Sequence, residues 1–296
     1  MLVGDWLQSK TNLLKQANIP LPRLDLLVLL EDFTGKDRSW LLANFDKNLN
    51  GLLESHEVNL QLLNNLVRRR AKNEPLSYIR HRTEFYGRDF FIDRRVLEPR
   101  PESETIIDLL KKYLAEDNRL VEKNTRLAID VGTGSGALAI TAAMEIPKLK
   151  LIATDIDKKC LAVTKINAAR YKKPIEMIEG DLVLPFVFNR RELLNNNQYI
   201  LLCNLPYVPE DFPLNAAAMY EPPLAIFGGK DGLSLYRTLF DQIRSLYYKP
   251  KLILTESLPA QHKSLASIAK TSGYKLVETC DFIQLFSPLE QHQGQL

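Results

Sequence analysis

The residues best suited to chemistry in this sequence begin with a glycine-rich loop. The segment "AIDVGTGSGALAI" is typical of an apolar strand, a loop and the start of a helix. Glycines permit positive φ and let a ligand approach the backbone closely, and the N-terminus of a helix presents free N–H groups. We therefore predict a ligand-binding loop made of Gly132, Thr133, Gly134, Ser135 and Gly136.

Two kinds of nucleotide ligand fit this loop. The letters "GTGSGA" match the G-x-G-x-x-G/A pattern of dinucleotide-binding proteins. Asp155 follows about 20 residues later, where that pattern has the acidic residue that binds the ribose of the ligand. Asp130, however, lies two residues before the first glycine, where a carboxylate suits a positively charged ligand better than a pyrophosphate. Asp130 therefore favours S-adenosylmethionine, which carries a sulfonium and an ammonium group.

Two further segments complete the predicted cofactor site. Asp155, at the end of "KLIATD", would hold the ribose diol through two charge-assisted hydrogen bonds. In "EGDL", Asp181 would accept a hydrogen bond from the adenine amino group and Leu182 would form an apolar wall beside the ring. A single carboxylate at a strand end often caps a turn instead. Three such carboxylates, counting Asp130, favour a bound cofactor.

The segment "CNLPYVPED" places an amide directly after the apolar run "YILL". Methyl transfer to a planar nitrogen needs groups that hold its NH₂, because the lone pair is delocalised. We predict that the Asn204 side-chain oxygen accepts one N–H and the backbone carbonyl of Leu205 accepts the other. Pro206 restricts residue 205 to an extended conformation, and Tyr207 would supply an apolar wall and a hydroxyl. These four residues are the predicted catalytic segment, and no metal is required.

The surrounding pattern indicates the elements that position these residues. Apolar residues recur at helical spacing in residues 1–75, which predicts a helical bundle, and residues 76–98 predict a β-hairpin linker around "GR". In residues 99–289, strand-like and helix-like segments alternate, which is typical of a mostly parallel sheet with helices on both faces. Such sheets bind ligands at the carboxyl ends of their strands. Residues 290–296 are predicted to be a tail.

Composition limits the classes of protein to consider. Three scattered cysteines without a C-x-x-C suggest neither a disulfide framework nor a zinc ribbon. The first residues have no basic region before their apolar start, so we expect no export signal. No apolar run reaches the roughly 20 residues that a membrane helix needs, and we expect a cytoplasmic protein. Between Arg68 and Arg100, ten basic side chains stand against five acidic ones. This excess is typical of a solvated face, and it could also steer an acidic protein or RNA toward the chain.

Together these motifs resemble the HemK/PrmC family, the glutamine methyltransferases of class I peptide chain release factors. The similarity extends over nearly the whole chain and includes "EPRPESE", "DVGTGSG", "ATDID", "GDL", "NLPY", "YEPPLAIFGGKDGL" and "VETC". It implies a Rossmann-like class I methyltransferase sheet with a small N-terminal helical domain joined by a β-hairpin. It also implies that Gly132 to Gly136, Asp155 and Leu182 contact the cofactor, and that Asn204 to Tyr207 bind the glutamine of a Gly-Gly-Gln loop. Asn204 is expected to border the cofactor as well.

Two departures from the family pattern keep alternatives open. The family usually has Asn-Pro-Pro-Tyr, and Leu205 replaces the first proline; "NLPY" also occurs in adenine dimethyltransferases of ribosomal RNA. Leu182 stands where the family often has an aromatic residue. The alternatives are an adenine amino methyltransferase acting on RNA or DNA, a related activity on a ribosomal-protein glutamine, and a non-catalytic cofactor-binding module. We expect a monomer whose partners are class I release factors, with no membrane and no direct nucleic-acid contact.

Overall fold

A computed structural model describes residues 1–53, 56–116, 126–188, 190–194 and 199–289. They form two compact units. The first contains Met1–Arg82 and the segment Leu214–Tyr220, and the second contains Thr83–Pro213 and the described residues from Glu221 onward. The chain thus passes between units after Arg82, while the predicted domain boundaries after residues 75 and 98 stay a prediction. The predicted tail, 290–296, lies outside the described residues.

The first unit is helical. Its helices are α1 Val3–Gln16, α2 Pro22–Thr34, α3 Arg38–Ala43, α4 Leu49–Leu52, α5 His56–Ala71 and α6 Leu76–Arg80. Local signals set several helix ends: a proline begins α2, Gly35 in the left-handed region ends it, and the Asp37 side chain accepts a hydrogen bond from the Trp40 N–H at the start of α3. Trp6, Leu14 and other apolar side chains form its own core.

A short hairpin opens the second unit. Strands β1 Thr83–Phe85 and β2 Arg88–Phe90 pair antiparallel, joined by two residues with positive φ, Tyr86 and Gly87. This turn places the corner where the glycine predicted it. Phe85 and Phe90 are buried, their rings meet edge to face with 6.2 Å between centroids, and they belong to a core cluster of this unit.

A seven-stranded sheet forms the centre of the second unit. Its strands are β3 Arg126–Val131, β4 Leu149–Asp155, β5 Glu176–Glu179, β6 Tyr199–Cys203, β7 Leu252–Glu256, β8 Tyr274–Cys280 and β9 Ile283–Pro288. Their order is β5-β4-β3-β6-β7-β9-β8, and β3 to β7 are parallel, whereas β9 is antiparallel to both neighbours. The predicted α/β class with a mostly parallel sheet is confirmed.

Helices cover both faces of this sheet. They are α7 Glu104–Glu116, α8 Ala137–Glu145, α9 Lys158–Arg170, α10 Leu184–Phe188, α11 Ser234–Ser245 and α12 His262–Thr271. Successive side chains of a strand point to opposite faces. Accordingly Ile129 of β3 joins the core cluster that contains α11, while Ala128 joins the one that contains α7 and α8. None of the helices described here is long and apolar enough to cross a bilayer.

Most of the predicted basic excess is balanced by acidic side chains. Ion pairs seen among the described residues include Arg69 with Glu74, Arg70 with Asp25, Arg80 with Asp32, Arg88 with Glu145, Arg95 with Asp93 and Arg100 with Glu221. Four of these six acidic partners lie outside residues 68–100, so counting charges along the sequence overstated the local excess. The field available to steer an acidic partner is correspondingly weaker.

The pair between Arg70 and Asp25 yields a stability prediction. The Arg70 Nε lies 2.6 Å from an Asp25 oxygen, and both side chains are only 12% exposed. Asp25→Ala would leave a guanidinium almost buried without its carboxylate, so we expect a loss on the order of 3 kcal/mol in the free energy of unfolding. Both tryptophans, Trp6 and Trp40, belong to the first unit, so tryptophan fluorescence during urea unfolding measures this loss.

Asp32→Ala is the matched control. It removes the partner of Arg80, but these two side chains are 21% and 31% exposed, so water can compensate. We expect a loss below about 1 kcal/mol. Equal losses for the two variants would contradict the assignment of Arg70 and Asp25 as the structural pair of this unit.

Candidate active site

A cavity of about 340 Å³ opens at the carboxyl ends of β3, β4 and β6. It brings together most of the residues that the sequence singled out. Those lining it are Asp130, Gly132, Thr133, Gly134, Ser135, Asp155, Asp181, Leu182, Asn204, Leu205 and Pro206. Gly136 and Tyr207 lie outside the lining. Strand pairing explains the assembly, because Val131 lies beside Thr154 of β4 on one side and Cys203 of β6 on the other.

The glycine loop is tied to the neighbouring strand. The N–H groups of Gly132 and Thr133 both donate to the Thr154 carbonyl at 2.9 Å. Gly136 has φ +79°, and a Cβ there would lie 2.7 Å from a methyl of Thr164 on α9. Gly136 therefore allows α8 to begin close to α9, which is a structural role, while the preceding loop residues face the cavity.

Asp130 is a buried carboxylate beneath this loop. It is 1% exposed, and its Oδ2 accepts hydrogen bonds from the Thr133 hydroxyl at 2.6 Å and the Ala139 N–H at 3.2 Å. Burial raises the pKa of Asp130 to about 6, although both hydrogen bonds favour the ionised form. A cation in the cavity would favour the ionised form further, so this carboxylate fits a positively charged ligand.

Asp155 ends β4 with both carboxylate oxygens oriented by the backbone. Oδ2 accepts from the Gly134 N–H and Oδ1 from the Asp157 N–H, each at 3.0 Å. Burial raises the pKa of Asp155 as well. Each carboxylate oxygen can accept a second hydrogen bond, so these contacts leave capacity for a diol in the cavity.

The turn that carries Asp181 and Leu182 is held by a residue that the sequence analysis missed. Gln242 of α11 is buried; its Nε2 lies 3.3 Å from Asp181 Oδ2, and its Oε1 accepts from the Val183 N–H at 3.0 Å. Leu182, between them, has φ +49° and is nearly buried. A glutamine on the apolar face of α11 was the signal that could have revealed this clamp.

A hydrogen-bonded chain leads from Asn204 into the protein. The Asn204 Nδ2 donates to Ser103 Oγ at 2.8 Å, and Ser103 Oγ donates to Glu256 Oε2 at 2.6 Å. The Tyr207 hydroxyl donates to the other Glu256 oxygen at 2.9 Å. The sequence analysis missed Ser103 and Glu256, although Ser103 lies within the quoted "EPRPESE".

Leu205 is buried, and its side chain fills space beside the glycine loop. Its side chain is 2% exposed and lies next to Gly132, where an added Cβ would come within 3.2 Å of it. Its N–H, which a proline would lack, lies 3.4 Å from the Tyr236 hydroxyl. The leucine thus packs the predicted substrate segment against the glycine loop.

Comparison with known proteins adds an independent finding. The PrmC N-terminal domain model matches residues 5–80, and the methyltransferase small domain model matches residues 103–196. The release factor glutamine methyltransferase of Bacillus subtilis is 34% identical over 73% of this chain and 72% of its own length. That of Koribacter versatilis is 32% identical over 78% of this chain and 77% of its own length.

This chain belongs to the release factor glutamine methyltransferase family. It is an S-adenosylmethionine-dependent methyltransferase. A bifunctional methyltransferase of Rickettsia conorii is 27% identical over 97% of this chain, which spans 58% of that protein. Among solved structures, the hMettl16 catalytic domain in complex with a MAT2A 3′UTR hairpin has a TM-score of 0.53 at 12% identity, covering 80% of this chain and 82% of that one. This last similarity concerns the fold alone.

The cavity fits the cofactor of this family. When bound, S-adenosylmethionine supplies an activated methyl group on a sulfonium that stands beside an ammonium. Two buried carboxylates, Asp130 and Asp155, line the cavity, and burial raises the pKa of each because it disfavours the charged form. A cationic ligand in the cavity would offset this cost. We propose that these two hold the charged and ribose parts of the cofactor and that Asp181 and Leu182 hold the adenine.

Asp130 gives the first prediction for this site. Only its ionised form attracts a cation, and its pKa is about 6 before the ligand binds. We therefore expect the affinity for S-adenosylmethionine to weaken as the pH falls from 8 to 5. Asp130→Asn can still accept from Thr133 and Ala139, so the fold should survive, but the affinity at pH 8 should fall at least about tenfold.

Calorimetry at several pH values separates the contribution of Asp130 from that of Asp155. Asp155 is present in both proteins, so the difference between their pH profiles reports Asp130 together with its electrostatic coupling to Asp155. The step near pH 6 should be present in the original protein and reduced in the variant. Parallel profiles would show that Asp130 does not face the cationic part of the cofactor.

Proposed function

We propose that this enzyme transfers a methyl group to the side-chain amide nitrogen of a glutamine, the one in the Gly-Gly-Gln motif of class I peptide chain release factors. The observation that carries the proposal is the position of Asn204. It lines the cavity at the end of β6, which pairs directly with β3, the strand before the glycine loop. Its Nδ2 donates a hydrogen bond to Ser103 Oγ. Membership of the family supports the same substrate.

The chemistry asked of these residues is to make a poor nucleophile react. An amide nitrogen shares its lone pair with its carbonyl, so it must be held with its π face toward the methyl group. The Asn204 oxygen and the Leu205 carbonyl would each accept one N–H of the substrate and stabilise the positive charge that develops on the nitrogen. Once the nitrogen has gained the methyl group it releases one proton to water, so the product is a neutral N-methyl amide. Pro206 restricts the conformation of residue 205 and so keeps that carbonyl in place.

The proposed partners follow from the substrate. Class I release factors act in translation, so the enzyme would work in the cytoplasm and take part in protein methylation during translation termination. A monomer without direct nucleic-acid contact stays a prediction. A related substrate, a glutamine of a ribosomal protein, would use the same amide-holding groups.

The sequence "NLPY" is also compatible with a second function, methylation of an adenine amino group in RNA or DNA, because adenine presents an equally planar NH₂.

A single experiment separates the candidates. A release factor and ribosomal RNA are each incubated with S-adenosylmethionine that carries a labelled methyl group, and products are mapped by mass spectrometry. We expect the label on the glutamine of the Gly-Gly-Gln peptide and none after that glutamine is replaced by alanine. Label on RNA alone would establish the alternative, and no turnover would indicate a non-catalytic module.

Asn204 provides the mechanistic prediction. Asn204→Ala removes one acceptor and lets the substrate amide rotate, so the chemical step should suffer more than binding. We expect kcat to fall on the order of 10²- to 10³-fold with little change in KM for the cofactor, by analogy with loss of one oxyanion-hole donor. Steady-state kinetics with a release factor measures both values. Unchanged turnover would contradict the amide-holding role.

Leu205→Pro is the companion variant. It keeps the accepting carbonyl and restores the usual family motif, so transfer should be retained or mildly increased. The buried leucine side chain and its N–H are lost, so the melting temperature should fall. Abolished transfer in a folded variant would show that the leucine serves a different substrate.

A further inference from the structure

A buried carboxylate at the end of β7 has no part in the proposed function. Glu256 is fully buried, and its two oxygens accept from two hydroxyls, Ser103 Oγ at 2.6 Å and Tyr207 OH at 2.9 Å. Both hydroxyls belong to segments that meet at the cavity: Ser103 lines it, and Tyr207 ends the "NLPY" segment. Burying a carboxylate is costly, so its position next to two polar segments calls for a functional explanation.

The carboxylate fixes the direction of the hydrogen bonds that end at Asn204. Burial raises the pKa of Glu256, whereas the hydrogen bonds from Ser103 and Tyr207 lower it and so favour the ionised form. In that form the carboxylate only accepts, so Ser103 donates its single hydroxyl proton to Glu256. The Ser103 oxygen can then only accept from its other neighbour. That neighbour is Asn204, which must therefore turn its NH₂ toward Ser103, at the observed 2.8 Å.

The orientation of the Asn204 amide follows from this chain. The nitrogen and oxygen of a side-chain amide are interchangeable in shape, and the hydrogen-bond network decides which lies where. With NH₂ committed to Ser103, the Asn204 oxygen is the atom left for a ligand in the cavity. Without a carboxylate at 256, Ser103 could donate to Asn204 instead and would select the opposite orientation, which presents a donor to the substrate.

We propose that Glu256, acting through Ser103, is a positioning residue that holds Asn204 with its oxygen ready to accept an N–H from the substrate. The identity of that substrate as a glutamine rests on the proposed function, but the direction of the hydrogen bonds does not. The same carboxylate fixes the Tyr207 hydroxyl. Glu256 is thus hydrogen-bonded to Tyr207 directly and to Asn204 through Ser103, at the two ends of the "NLPY" segment.

Kinetics of paired variants test this role. Glu256→Gln keeps size and can accept or donate toward Ser103, so it removes the fixed direction with little loss of packing. We expect kcat to fall about 10- to 100-fold, with KM for the cofactor within about twofold, because the acceptor is misplaced. In an Asn204→Ala background the same change should lower kcat by a clearly smaller factor, since the effect that passes through Asn204 is gone and only the contact of Glu256 with Tyr207 remains.

A control carboxylate is found on β8, which β9 separates from β7 in the sheet. Glu278 of β8 also accepts from a tyrosine hydroxyl, that of Tyr113, and from Lys112, and it lies outside the cavity lining. Glu278→Gln should leave kcat unchanged. If Glu256→Gln lowers kcat by the same factor with and without Asn204, Glu256 acts independently of Asn204 and the proposal is overturned.

A spectroscopic measurement tests the orientation without any substrate. The side-chain NH₂ of Asn204 is observed by ¹⁵N NMR in the full protein and assigned by its loss in Asn204→Ala. Ser103→Ala and Glu256→Gln should each shift this resonance and speed exchange of its hydrogens with solvent, whereas Glu278→Gln should not. Calorimetry with S-adenosylmethionine confirms that the variants remain folded. Should Glu256→Gln fail to fold, the response of the Asn204 resonance to Ser103→Ala tests the proposal by itself.

The two measurements distinguish failure of this proposal from failure of the proposed function. If the protein leaves the Gly-Gly-Gln motif unmethylated but the Asn204 resonance responds as expected, the proposed substrate is wrong and the positioning role stands. If the motif is methylated and the Asn204 resonance is unaffected by both variants, the positioning role is wrong and the proposed function stands.

Discussion

Parallel pairing of β3 with β4 on one side and β6 on the other is the constraint on which the site depends. Parallel strands bring their carboxyl ends to the same edge of a sheet, so groups that follow these strands meet even though they are far apart in sequence. The registers Val131 with Thr154 and Val131 with Cys203 place the glycine loop directly between Asp155 and Asn204. No local feature of any one segment could assemble this cavity.

The edge that results is electrostatically costly before a ligand arrives. Asp130 and Asp155 are both buried, and the charge of Asp155 adds to the burial that raises the pKa of Asp130. Backbone N–H groups and the Thr133 hydroxyl offset part of this cost. The remaining excess of negative charge is matched to a cationic cofactor and poorly matched to a pyrophosphate, which explains why a loop shaped like a dinucleotide fingerprint serves a methyltransferase.

The sequence predicted those parts of the fold and site that depend on local signals. The glycine loop, the hairpin corner at Gly87 and the alternation of strands and helices all follow from residue types within a few positions. Ser103, Gln242 and Glu256 were missed because their roles arise only when distant segments meet. Ser103 lies 153 positions from Glu256 and 101 from Asn204, so no spacing rule could connect them. The overstated basic excess has the same cause, since the acid that pairs with Arg100 lies 121 positions away.

The departure at Leu205 links the two halves of the site. The Tyr236 hydroxyl lies 3.4 Å from the Leu205 nitrogen, 3.0 Å from the Cys203 carbonyl and 2.5 Å from the Glu256 carbonyl. One buried hydroxyl therefore holds the ends of β6 and β7 together at the point where Asn204 and Glu256 must share Ser103. A proline at 205 would remove one of these contacts but would leave the strand ends joined. The leucine adds side-chain packing against Gly132, so the segment that would hold the substrate and the loop that would hold the cofactor are positioned by direct contact.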